Sequence, residues 1–219
     1  MRTLHRALAS ALAVATAGSV VVLTSRTVLS QSRVPTITGV GGQPWLNPDP
    51  PCFDNAKRYV DCGNGTVSDT VTGLIWLRDA GCLGSLDWAA ANQAAAALQD
   101  GQCGLTDRSK PGDWRLPSNA EWRATVDAAR DHPRLSCRNP ALTNDAGSAC
   151  FGDGSGSSFS NVLPEAPGGG FWSSTTYTLS VGLQPDGRKA GVMSLSEGFL
   201  LSFFEKGCCP QRAWPVRVR

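Results

Sequence analysis

The sequence predicts an α+β domain. Three observations carry that expectation: short β-branched and aromatic runs punctuated by glycine, two segments with helical spacing, and eight cysteines in a chain of 219 residues. Forty-one percent apolar residues suffice for one core, and 17% charged residues with 24 Gly and 14 Pro suit a turn-rich exported fold better than a highly solvated intracellular one. The length fits one domain with an appendage, and the apolar share excludes disorder throughout.

Residues 1–30 read as a signal peptide. Arg2, His5 and Arg6 form a basic start, Ala7 to Leu23 an apolar run, and a polar segment with small residues follows. Val28 and Ser30 place small side chains at the third and first positions before a cut, which gives a mature start at Gln31; a cut after Ala17 is the lesser site. The competing reading is an uncleaved anchor, although the run is Ala-rich and weakly apolar. Cleavage would leave no stable membrane span, and Cys52, the first cysteine, lies too far along for lipid attachment. The expected location is therefore the periplasm, the medium or the cell surface.

Residues 31–57, with Pro35, Pro44, Pro48, Pro50 and Pro51 and Gly39, Gly41 and Gly42, read as a spacer. The domain is expected over residues 58–219. It opens as an antiparallel meander: strands at Arg58–Cys62, Thr66–Asp69 and Leu74–Arg78, with turns at Gly63–Gly65 and at Gly73. Asp87 to Gln99 is Ala-rich and sets Trp88, Ala91, Ala95 and Leu98 on one helical face. A second helix starts at Ser118, where Ser118 and Glu121 make an S-x-x-E capping box and Trp122 and Val126 stand one helical repeat apart. Residues 131–170 read as loop. Strands are expected again at Phe171–Tyr177, Gly191–Ser196, Gly198–Glu205 and Ala213–Val218, in one compact sheet system.

All eight cysteines, Cys52, Cys62, Cys82, Cys103, Cys137, Cys150, Cys208 and Cys209, follow the export segment, where an oxidising compartment favours four disulfides. Eight cysteines allow about a hundred connectivities. Proximity in sequence suggests Cys52 with Cys62, Cys82 with Cys103, and Cys137 with Cys150. Cys208 and Cys209 either bond different partners or close a vicinal bridge.

Four stretches carry a family resemblance: Asn64–Trp76, Asp113–Trp122, Phe171–Ser174 and Trp214–Arg219. Together, in this order, they resemble the Lcl C-terminal domain family, the terminal domain of collagen-like bacterial adhesins. The element Trp114-Arg115-Leu116-Pro117-Ser118, closed by Glu121 and Trp122, is similar to a core element of the formylglycine-generating enzyme and C-type-lectin-like fold. That resemblance implies small twisted antiparallel sheets, two helices and long disulfide-stapled loops. The chemistry of the element itself points to scaffold: Arg115 can satisfy carbonyls or a carboxylate at the helix entry, and the two tryptophans supply core area.

No catalytic set is legible. The mature chain holds one histidine, His132, and no C-x-x-C pair, so neither a Ser-His-Asp triad nor a zinc centre is expected. Formylglycine-generating enzymes use a late pair of reactive cysteines, but Cys208 and Cys209 are adjacent rather than separated. An enzyme of that type or a redox activity is the alternative reading, and a structural envelope protein a further one. Acid pairs for glycoside hydrolysis, Glu121 with Asp127 or Glu165 with Glu197, cannot be recognised without geometry.

Binding is the remaining class. Removing Arg2, Arg6 and Arg26 with the signal leaves 17 basic against 18 acidic side chains, so nothing global attracts nucleic acid. Trp172 and Tyr177 with Arg188 and Lys189 are the candidate surface for a glycan or an envelope protein, because aromatic rings stack on sugars and cations hold sulfate or carboxylate. Relatives in the family are adhesins associated with sulfated polysaccharides. Asn144, Asp145 and Asp153 offer oxygen ligands for calcium, against their ordinary use in turns. No other cofactor is expected.

Overall fold

The computed structural model describes residues 52–130, 134–153, 156–162, 170–177 and 187–218, apart from the side chains of residues 202 and 203. The expected signal peptide, most of the spacer and His132 lie outside these residues. Among them no helix is long and apolar enough to cross a membrane.

The architecture is α+β, with two sheets in place of the single sheet system expected. The first sheet holds β1 (Tyr59–Asp61), β2 (Thr66–Asp69), β3 (Ile75–Leu77) and, far along the chain, β9 (Val216–Arg217). Its order is β1-β2-β3-β9, antiparallel throughout, with Val67 opposite Trp76 and Trp76 opposite Val216. The second sheet runs β4 (Ser85–Leu86), β8 (Gln211–Arg212), β5 (Phe171–Tyr177), β6 (Lys189–Ser194), β7 (Phe199–Glu205). Its single parallel contact pairs Phe171 with Arg212, so this sheet is mixed rather than antiparallel. The run expected as one strand, Ala213–Val218, leaves the second sheet after Arg212 and joins the first only at Val216, because the chain end must serve both sheets. β6 begins at Lys189, two residues before the expected Gly191.

Both helices form for the reasons their sequences give. In α1 (Trp88–Ala97) Asp87 is the N-cap, its carboxylate accepting the Ala90 N–H at 2.8 Å. The α1 face of Ala91 and Ala95 is buried against Leu116, Trp172 and Val192, a small-residue face that lets the helix lie close to the second sheet. In α2 (Asn119–Arg130) the capping box closes from both sides: the Glu121 N–H donates to Ser118 Oγ, and the Ser118 N–H donates to the Glu121 carboxylate at 2.7 Å. Trp122, Thr125, Val126 and Ala129 form its buried stripe.

The core joins the four stretches that carry the resemblance. Trp76 of β3, Trp122 of α2, Phe171 of β5 and Trp214 stack on one another, with Trp76 and Trp214 centroids 4.8 Å apart and Trp122 and Phe171 5.7 Å apart. Buried indole N–H groups need acceptors, and three find backbone carbonyls: Trp122 with Trp172, Trp172 with Leu86, and Trp214 with Leu77. Arg115 and Val216 exchange both backbone hydrogen bonds, which fixes the motif before α2 to the chain end. Arg58 is buried and donates to the Thr125 carbonyl and to Asp69, so β1, β2 and α2 are tied by one paired cation.

Four disulfides join Cys52 to Cys62, Cys82 to Cys103, Cys137 to Cys150, and Cys208 to Cys209. The first ties Cys52 to the residue that follows β1. The second clamps the two sides of α1.

Candidate functional site

Trp172 is not available to a ligand. It is 0% exposed, packs in the α1 cluster and spends its N–H on the Leu86 carbonyl, so its place in the expected binding surface is withdrawn. Tyr177 and Lys189 are brought together, opposite one another on β5 and β6, with Glu205 of β7 completing the same rung. Lys189 pairs with Glu205 at 3.6 Å, which cancels its charge locally. Arg188 is exposed at the same end of the sheet.

The calcium candidates act as turn pins. Asn144 is buried, and its side-chain oxygen accepts the Ser148 and Ala149 N–H groups. The Asp145 carboxylate accepts the Ser158 N–H and hydroxyl, each at 2.8 Å. Asp153 is exposed on the turn after Cys150. Among the described residues no group of three His, Cys, Asp or Glu could hold a metal ion.

Within the scaffold motif, Arg115 and Glu121 satisfy one another. Arg115 grips Glu121 with two donors, at 2.8 and 2.6 Å, and also reaches the Leu116 carbonyl at 3.1 Å. The Arg115 guanidinium, and then the Ser118 N–H, hold the Glu121 carboxyl at about 2, well below the usual carboxylate range, although partial burial opposes them. Glu121 and Asp127 do not form an acid pair, because Glu121 is held by Arg115 and Asp127 by Arg130 at 3.1 Å.

A concave site lies where α2 meets the sheet at β7, and the sequence reading missed it. A cleft of about 280 Å³ has Val126, Met193 and Leu200 in its lining, with Phe199 and the charged Arg123 and Arg130. Phe199 is 44% exposed, and Arg123 lies on the exposed face of α2. Arg130 is anchored, donating to the Gly198 carbonyl at 2.6 Å and pairing with Asp127. Gly198 sits at φ +72°, and a Cβ there would come 2.8 Å from that of Ala141. A glycine is thus required for the turn that presents Phe199. The signal was in the sequence as an aromatic following Gly198, but only the packing of α2 on β7 brings Arg123 into the lining of the same cleft. A second cleft of about 320 Å³, near Lys57, Arg58 and Gly147, has its one buried cation already paired to Asp69.

A disulfide-stapled α+β domain with an aromatic and cationic cleft is the class that fold and site define. The Lcl C-terminal domain family matches residues 65–217, and the chain belongs to it. No curated protein and no solved structure matches the chain.

Proposed function

We propose that this is an exported binding domain that takes an acidic glycan in the α2–β7 cleft, on a lectin-like scaffold. The observation that carries the reading is the pairing of a half-exposed phenyl ring with an exposed guanidinium in one concavity: Phe199 offers a face to sugar C–H groups, and Arg123 a planar fork for a carboxylate or sulfate. Four disulfides suit an oxidising compartment and agree with the export segment read in residues 1–30. Two sheets with two helices and long stapled connections support the lectin-like reading of the scaffold. The rung of Tyr177 and Lys189 with the neighbouring Arg188 is a secondary contact surface.

The test is binding of the oxidised mature protein to uronate-bearing, sulfated and neutral oligosaccharides over a salt series, with and without calcium. Saturable binding of the acidic ligands is expected, insensitive to chelation, weakened at least about tenfold by Arg123→Ala and by Phe199→Ala with the melting temperature unchanged. Affinity equal to the wild type in both variants, or no binding to any oligosaccharide, would show that the cleft is not a glycan site; co-purifying envelope proteins in the latter case would favour a structural role.

A further inference from the structure

We propose that the Cys208–Cys209 bond is a reversible thiol–disulfide exchange site, opened by a dithiol reductant while the other three bridges stay closed. This goes beyond the binding role and rests on none of the cleft residues.

Disulfides stabilise chiefly by closing loops in the unfolded chain. The other three bridges span sequence separations of 10, 21 and 13 residues. Cys208 and Cys209 are separated by 1, so their bond closes no loop, and stabilisation of that kind does not explain it. Exposure sets it apart as well. Both cysteines are exposed, whereas each of the other bridges has at least one sulfur residue wholly or partly buried.

The position is also suited to opening without unfolding. The connection Lys206–Pro210 carries the chain from β7, at the edge of the second sheet, past β6 and β5 to β8. Its anchors lie outside the two-cysteine ring or on its backbone. Lys206 donates its N–H to the Arg188 carbonyl, accepts the Trp88 N–H, places its ammonium 3.8 Å from the centre of the Trp88 ring and donates to Thr176 Oγ1. The Cys208 N–H donates to the Glu205 carbonyl, and the Cys209 carbonyl accepts from Gln211. None of these contacts uses sulfur, so the strap keeps its ends when the bond breaks.

The chemistry balances with a dithiol, such as that of an envelope oxidoreductase. A reductant thiolate attacks one Sγ, the Cys208–Cys209 bond breaks, and the other sulfur leaves as thiolate and takes a proton. The second reductant thiol then displaces the mixed disulfide, leaving two protein thiols and an oxidised reductant.

The experiment equilibrates the full oxidised chain in a series of reduced and oxidised dithiothreitol mixtures, alkylates free thiols and locates them by peptide mass. The expected result is alkylation of Cys208 and Cys209 alone, at a reduced-to-oxidised ratio about tenfold or more below that which opens the next bridge, with near-ultraviolet dichroism retained and the bond reforming on return to oxidant. Opening together with or after another bridge would overturn the proposal. A Cys208→Ser/Cys209→Ser variant should keep three bridges and melt within about 2–4 °C of the wild type. A loss as large as that of a Cys82→Ser/Cys103→Ser variant would assign the bond a structural role instead.

Discussion

Single side chains decide where stability and acid sensitivity reside. Trp122 touches Trp76, Phe171 and Trp214, and its N–H is bonded to the Trp172 carbonyl. Trp122→Ala should therefore destabilise by about 3–5 kcal/mol in urea unfolding, from the cavity and the freed carbonyl together. Unchanged unfolding would contradict its place in the core. Glu121 contributes a pH dependence. Its carboxyl is held at about 2 in the folded chain, first by Arg115, so the stability it adds is complete above the ordinary value of 4.5 and is lost as pH falls toward 2. Because Arg115 is substantially exposed, solvent screens the pair and the effect is modest. Between pH 5 and pH 2.5 the wild type should lose more stability than Glu121→Gln, as read by urea midpoints at each pH; parallel losses would show that the pair contributes nothing.

Elements differ in how far local chemistry defines them. Both helices were legible from runs with helical spacing; Ser118 performs the expected cap, and Asp87, read only as the start of its run, proves to be the N-cap of α1. The two-residue strands β4 and β8 were not. Ser85–Leu86 and Gln211–Arg212 are too short to show alternation, and they exist because the chain brings them side by side with Ser85 opposite Arg212. At this scale the Cys82–Cys103 bridge fixes the flanks of α1, whose own face is mostly alanine. Replacing both cysteines by serine should cost about 3 kcal/mol by loss of loop closure, measured by the shift in the denaturation midpoint with other bridges intact. A shift near zero would mean that α1 is held by its packing on Trp172 and Val192 alone.

The whole molecule unites segments far apart in sequence. β3 pairs with β9, and the aromatic core draws from β3, α2, β5 and the segment before β9. The terminus is thus part of the first sheet, and the proposed binding would act on a chain that is nearly neutral once residues 1–30 are set aside. Attraction of an acidic ligand must then come from a local cluster, Arg123 with the partly neutralised Arg130. Affinity for sulfated or uronate-bearing ligands should fall with salt with a shallow slope, close to one or two released counterions, and Arg123→Ala should flatten it. A steep slope retained in that variant would point to the Arg188 end of the second sheet.

The sequence by itself determined the α+β class, both helices and the capping box of α2, the family and the cysteine supply, because these rest on local spacing and on motifs of contiguous residues. Tertiary structure decided the rest. It split the strands into two sheets, buried Trp172 against α1, turned Asn144 and Asp145 into hydrogen-bond acceptors within their own loop, and brought Arg123 and Phe199 into the lining of one cleft. The physical reason is common to all four. Strand partnership, the burial of an aromatic ring and the meeting of two side chains in a cleft depend on which distant segments pack together, and no local period in the chain encodes that.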